Sequence, residues 1–149
     1  IKFGKRKASH EEMVHSAKVA QAYDFINKKE KKFDEPIGEG GSNVSGGQKQ
    51  RLSIARALVR KPEIYIFDDS FSALDFKTDA ILRAELKKET THAIVLIVAQ
   101  RIGSIMDADK IIVLDEGNVV GIGKHKELLK TCSVYKEIAL SQLTEEELA

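Results

Sequence analysis

The stretch that decides the fold runs from residue 44 to residue 75 and reads VSGGQKQRLSIARALVRKPEIYIFDDSFSALD. Its first half predicts a helix that begins near Ser45, because apolar side chains then recur every three or four positions. They are Leu52, Ala55, Leu58 and Val59. Pro62 disfavours a helical residue before it, so the helix is expected to end there.

Two short apolar runs predict strands. The run Ile64–Phe67 is stopped by Asp68 and Asp69, and a second run, rich in Ile and Val, extends from His92 to Val98. Continuous apolar runs are typical of parallel strands that are covered on both faces. We therefore expect both strands to be buried on both sides.

The remaining segments alternate with these strands. Ser9 to Glu12 has the form of a capping box at a helix start, and a further helix is expected from Asp75 to about Lys88. Lys110–Ile122 reads as a strand, a tight turn and a strand, and Lys124–Leu148 as two short helices. This order predicts an α/β domain with a parallel core sheet and a site beyond the strand ends.

Composition narrows the possible functions. The chain has 149 residues, 24 basic and 23 acidic, for a formal net charge of +1. This balance argues against a nucleic-acid-binding protein that relies on a general basic field. The single cysteine, Cys132, excludes an internal disulfide. No run approaches the roughly 18 apolar residues of a membrane span, and no signal peptide is evident.

The segment Ser45-Gly46-Gly47-Gln48 lies at the start of the predicted helix. Free N–H groups at a helix N-terminus bind anions, and glycines let a phosphate approach the backbone closely. Ser45 adds a hydroxyl donor. Taken alone, the pattern is equally typical of a simple turn.

Asp68 and Asp69 end the first predicted strand. A carboxylate in this position can hold Mg²⁺, which takes one or two carboxylates together with phosphate and water oxygens. Because strands often end in Asp, this feature alone favours no metal site.

In combination these segments indicate one family. Their order closely resembles that of three motifs of the ATP-binding-cassette (ABC) ATPase family. Ser45–Leu52 resembles the signature motif, the strand with Asp68 resembles the Walker B motif, and Ser72–Asp75 resembles the D-loop. The resemblance covers essentially the whole chain. It implies the C-terminal part of a P-loop (RecA-like) ABC ATPase domain, with residues 1–60 from the helical subdomain and 61–149 from the core and last helices.

The loop Gly38-Glu39-Gly40-Gly41 resembles the X-loop of ABC exporters, which lies near the coupling helices of the membrane domains. The resemblance therefore implies an ATP-driven exporter at the cytoplasmic face of a cell membrane, in a bacterium. It further implies ATP and Mg²⁺ as cofactors, with Asp68 on the metal. The implied partners are a second ABC nucleotide-binding domain and the coupling helices, and no nucleic acid.

One family element is missing from this sequence. Gly-x-x-x-x-Gly-Lys-Ser/Thr, the P-loop that cradles ATP phosphates, does not occur. Gly121-Ile122-Gly123-Lys124 has neither its spacing nor the following hydroxyl residue. We expect the chain to be a truncated domain that by itself binds ATP poorly and does not hydrolyse it.

Two positions depart from the family's catalytic pattern. Asp69 stands where a Glu usually acts as general base, and Gln100 stands where the H-loop His is usual. Gln cannot carry a proton or a charge near neutral pH. The resemblance therefore suggests a degenerate hydrolysis site, as in heterodimeric bacterial exporters, whereas Ser45–Gln48 would complete the partner's ATP site. Asp75 would lie at the seam between the two domains.

Two alternatives stay open. In one, the protein is a homodimeric exporter in which Asp69 supports slow hydrolysis. In the other, it is an ABC ATPase without membrane domains that acts on DNA or ribosomes. The near-zero net charge and the Gly38–Gly41 loop count against the second alternative.

Overall fold

A computed structural model describes residues 1–144 of the chain. The chain forms two compact units, Ile1–Val98 and the segment that starts at Ala99. Within the described residues no helix has the length and apolar character needed to cross a membrane.

The first unit begins with two helices, α1 (His10–Val19) and α2 (Tyr23–Asn27). The predicted capping box at Ser9 is confirmed, since its hydroxyl accepts the N–H of Glu12 and the Glu12 carboxylate accepts the N–H of Ser9. Gln21 adopts a left-handed conformation with φ of 54° between the two helices. This break between the two helices was not predicted from the sequence.

Two single 3₁₀ turns follow, and they precede α3 (Gly46–Leu58). The second, Glu39–Gly41, is the glycine-rich loop, in which Gly40 and Gly41 have φ of 61° and 73°. Only glycine adopts such values without strain. Helix α3 starts and ends where the sequence predicts, directly after Ser45 and before Pro62.

The centre of the first unit is a pair of strands, β1 (Ile64–Asp68) and β2 (Ile94–Val98), joined through α4 (Phe76–Glu89). The strands are parallel, as predicted, and their register places Asp68 beside Val98 at the carboxyl edge. Their side chains contribute to one core with α1, α3 and α4, in which Ala17, Leu58 and Leu82 are buried.

The expectation that both strands are buried on both faces is wrong for the described structure. In β1 only Tyr65 and Phe67 are buried, whereas 68% of Ile66 is exposed. In β2, 51% of Leu96 and 57% of Val98 are exposed. The strand side chains alternate between two faces, and the helices of this unit cover only the face that carries Tyr65 and Phe67.

The second unit contains an antiparallel hairpin and two helices. Strands β3 (Ile111–Asp115) and β4 (Asn118–Gly123) meet at a turn in which Gly117 has φ of 79°. Helices α5 (His125–Thr131) and α6 (Ser133–Leu140) follow. The hairpin and both helices match the sequence prediction, but the predicted end at Leu148 lies outside the described residues. The unit has its own core, built around Ile102, Ile111, Val113, Leu128, Cys132, Tyr135 and Ala139.

Candidate functional site

The N-terminus of α3 is shaped by a reciprocal cap. The Ser45 hydroxyl accepts the N–H of Gln48 at 3.2 Å, and the Gln48 side-chain oxygen accepts the N–H of Ser45 at 3.1 Å. The first N–H groups of a helix have no intrahelical acceptor, so those of Gly46 and Gly47 remain at the helix end. The Ser45 hydroxyl still has its proton to donate. Such an end attracts an anion.

The two glycines differ in their surroundings. A Cβ atom on Gly47 would lie 2.9 Å from the carbonyl oxygen of Ala73, whereas one on Gly46 would lie 3.6 Å from the Ala73 Cβ. The first distance is a clash with backbone, and the second is an ordinary van der Waals contact. Gly47 is therefore required for the close approach of α3 to the segment before α4.

That segment begins at the end of β1. Asp69 donates its N–H to the carbonyl of Val98 at 3.0 Å and adopts a left-handed conformation with φ of 46°. The Ser70 hydroxyl donates to the Asp68 carbonyl at 3.2 Å. Both carboxylates are exposed at the carboxyl edge of the strand pair, where the sequence placed them.

The carboxylates suit Mg²⁺ only as part of a larger ligand set. In the part of the chain that the structure describes, no group of three or more His, Cys, Asp or Glu side chains could hold a metal ion. Mg²⁺ typically takes one or two carboxylates and completes its shell with phosphate and water oxygens. The carboxylate of Asp68 fits that role, with the rest of the shell supplied by phosphate and water oxygens.

Gln50 connects the two segments and was not singled out from the sequence. Its side-chain nitrogen donates to the Asp69 carbonyl and to the Ser72 hydroxyl, both at 3.1 Å. Its side-chain oxygen accepts the N–H of Ala73 at 3.0 Å. Its position in the sequence could have indicated this role, because Gln50 follows Gly46 by four residues and therefore lies on the same side of α3 as Gly46.

Arg51 was also not singled out. Its guanidinium donates to the carbonyl of Gln21 at 2.7 Å and to the carbonyl of Gly47 at 3.3 Å, and it lies 4.8 Å from the ring centroid of Phe25. Burial lowers the pKa of Arg51, and the carboxylate of Asp75 acts in the opposite direction. The side chain thus ties the α1–α2 break to the first turn of α3.

Asp75 is the N-cap of α4. Its carboxylate accepts the N–H of Thr78 at 2.9 Å and the Thr78 hydroxyl at 2.7 Å. These hydrogen bonds hold the pKa of Asp75 below its ordinary value. The local role of this exposed carboxylate is therefore to start α4.

Gln100 belongs to the second unit, unlike the other candidate residues. It is exposed, and its carbonyl accepts the side-chain nitrogen of Gln142 at 2.8 Å. The side-chain oxygen of Gln142 accepts the N–H of Ile102 at 2.9 Å. Gln142 thus holds the segment around Gln100, a contact over 42 positions that no sequence pattern indicated. The first unit alone brings together the N-terminal end of α3 (hereafter the α3 end), Asp68, Asp69 and Asp75.

Comparisons with known proteins agree on one family. The profile described as ABC transporter matches residues 3–72. The chain is 45% identical over 146 residues to an uncharacterized ABC transporter ATP-binding protein of Bacillus subtilis, covering 98% of this chain and 25% of that protein. It is 42% identical over 142 residues to the mouse ATP-binding cassette sub-family B member 5, covering 95% of this chain and 11% of that protein.

A solved structure gives the same result. The chain superposes on the structure of a bacterial Atm1-family ABC exporter with ATP bound, with a TM-score of 0.89 and 36% identity. The match covers 96% of this chain and 25% of that one. The chain therefore spans a quarter or less of the length of these relatives.

Proposed function

The chain belongs to the ATP-binding domains of ABC transporters of the exporter type, and on this premise we propose that its α3 end completes the ATP site of a second such domain. In this proposal the chain is the C-terminal part of the nucleotide-binding domain, with a boundary near residue 60 between its helical and core subdomains. The full subunit is an ATP hydrolase that drives export, at the cytoplasmic face of a cell membrane.

One observation carries the proposal. The Ser45 hydroxyl and the N–H groups of Gly46 and Gly47 converge at an exposed helix N-terminus, and the cap with Gln48 fixes their arrangement. This donor set suits the terminal phosphate of an ATP that is held by the opposite domain. Gln48 acts by holding the cap, and Asp75 lies at the seam between the domains.

In this proposal the residues that the chain supplies to its own ATP site support hydrolysis only weakly. Asp68 supplies a carboxylate to Mg²⁺, which, when bound, screens the phosphate charges. Asp69 is one methylene shorter than Glu, so its carboxylate is set back by about 1.5 Å. A misplacement of about 1 Å can cost on the order of 100-fold in rate. Gln100 offers an amide that can contact a phosphate but cannot exchange a proton.

This division of work implies a heterodimer. The partner domain binds its own ATP in a catalytically competent site, and the α3 end of this chain docks there. The glycine-rich turn Glu39–Gly41 faces the coupling helices of a membrane domain. The near-zero net charge is consistent with partners that are not nucleic acids.

The test is ATP turnover by the full-length transporter, purified through a tag on this subunit. Asp69→Asn is expected to change turnover little, because the working base belongs to the partner. Gly46→Asp is expected to abolish it, because a carboxylate then occupies the position of the phosphate. Collapse of turnover in Asp69→Asn would instead support a homodimer in which Asp69 catalyses.

Two further outcomes bear on the proposal. Unchanged turnover in Gly46→Asp would show that the α3 end does not serve an ATP site. Co-purification with DNA or ribosomes, without any membrane domain, would support the alternative of an ABC ATPase that acts on DNA or ribosomes.

A further inference from the structure

The segment Asp69–Ala73 is fastened to α3 at both of its ends. At its start, the Asp69 carbonyl accepts the side-chain nitrogen of Gln50 at 3.1 Å and the Ser72 hydroxyl at 3.1 Å. At its end, the Ala73 N–H donates to the side-chain oxygen of Gln50 at 3.0 Å. The Ala73 carbonyl lies against Gly47, where no Cβ fits. One amide therefore closes the segment onto the helix.

We propose that Gln50 is a positioning residue that fixes the α3 phosphate-binding end relative to the Asp68–Asp69 strand end. The inference rests on the proposed function, in which these two ends face different ATP molecules. The α3 end faces the ATP of the partner, and the strand end faces the ATP on its own side. A displacement of one segment is then carried to the other through the Gln50 amide and the Gly47–Ala73 contact.

The chemistry of the bridge explains why the residue is Gln. The side chain at this position must accept one hydrogen bond and donate two. It must also be long enough to reach from α3 to the segment Asp69–Ala73. Glu accepts but does not donate when it is ionised, and Met, of similar length, contributes no N–H or O–H donor and only a weak acceptor. Asn has the amide but is shorter by about 1.5 Å, one C–C bond.

The test compares Gln50→Met and Gln50→Glu in the full-length transporter. Met keeps the length and approximate volume of the side chain but loses all three hydrogen bonds, whereas Glu keeps only the bond from Ala73. Turnover is expressed per ATP bound at saturation, which removes molecules that fail to fold. Ser53→Ala, at an exposed position of the same helix, is the control.

We expect turnover per bound ATP to fall roughly tenfold or more in both variants, given that about 1 Å of misplacement can cost on the order of 100-fold. The amount of bound ATP and the Ser53→Ala variant should stay unchanged. Wild-type turnover per bound ATP in Gln50→Met would overturn the inference, because packing alone would then suffice. Loss of bound ATP in proportion to lost turnover would also overturn it, because the role would then be structural.

Gly46→Asp separates this inference from the proposed function. If Gly46→Asp abolishes turnover while Gln50→Met does not reduce it, the proposed function stands and the positioning role is wrong. If Gly46→Asp has no effect, the proposed function fails and the inference fails with it.

Discussion

Replacement of Gly47 by Ala is expected to destabilise the protein relative to replacement of Gly46 by Ala. Both residues lie in the first turn of α3, so both substitutions gain the same conformational term, about 0.5–1 kcal/mol for Gly to Ala in a helix. The difference between the two variants therefore isolates the contact that each new Cβ makes.

The magnitude follows from the distances. In Gly47→Ala the new Cβ would lie 2.9 Å from the carbonyl oxygen of Ala73, whereas ordinary Cβ contacts begin near 3.4 Å. Backbone must move by about half an ångström, and overpacking of this kind typically costs about 1–3 kcal/mol. In Gly46→Ala the new Cβ meets its nearest neighbour at 3.6 Å and forces no movement. We thus expect Gly47→Ala to be less stable than Gly46→Ala by about 1–3 kcal/mol.

Urea unfolding of the two variants and the wild type provides the assay, with stability extrapolated linearly to water. Gly46→Ala should unfold at the same or a higher urea concentration than the wild type, and Gly47→Ala at a lower one. Equal midpoints for the two variants would refute the reasoning, because the Gly47–Ala73 approach would then impose no steric limit.

Two other predictions concern the cap of α4 and the nucleotide. Hydrogen bonds from Thr78 hold the pKa of Asp75 in the folded protein below its ordinary value. The Asp75 carboxylate therefore stabilises the folded protein fully above the unfolded pKa of about 3.9. This stabilisation is lost as the pH falls through the lower pKa of the folded state. The stability difference between wild type and Asp75→Asn should shrink below about pH 4 in acid titrations of urea unfolding, and a pH-independent difference would contradict this. The isolated chain should bind ATP poorly and not hydrolyse it, since the P-loop pattern does not occur in its sequence; tight binding in titration calorimetry would contradict that expectation.

The local elements were predictable where a single residue type imposes a boundary. Ser45 and Pro62 bound α3 because a hydroxyl caps free N–H groups and a proline disfavours helical continuation. Asp75 begins α4 for the same reason as Ser45 begins α3. The positions of the candidate residues of the first unit at a strand end and at helix starts were likewise predictable, because strand ends and helix starts are local features.

Contacts between distant segments were not predictable. The carbonyl of the left-handed Gln21 accepts a hydrogen bond from Arg51, 30 positions away, and the hydrogen bonds of Gln50 span 19 to 23 positions. The expected burial of both strand faces failed for a related reason. An apolar run predicts a strand with two apolar faces, but it does not predict whether helices of the same unit cover both faces. Here Ile66 and Leu96 stay exposed.

The uncovered strand face has a consequence for colloidal behaviour. Five aliphatic side chains lie exposed on this one face of the two strands, namely Ile64, Ile66, Ile94, Leu96 and Val98. A formal net charge of +1 provides little electrostatic repulsion between copies. Attraction between apolar faces weakens on cooling. The chain on its own should therefore stay dispersed best when cold and dilute, at a pH far enough from neutrality to give every copy a substantial charge of one sign.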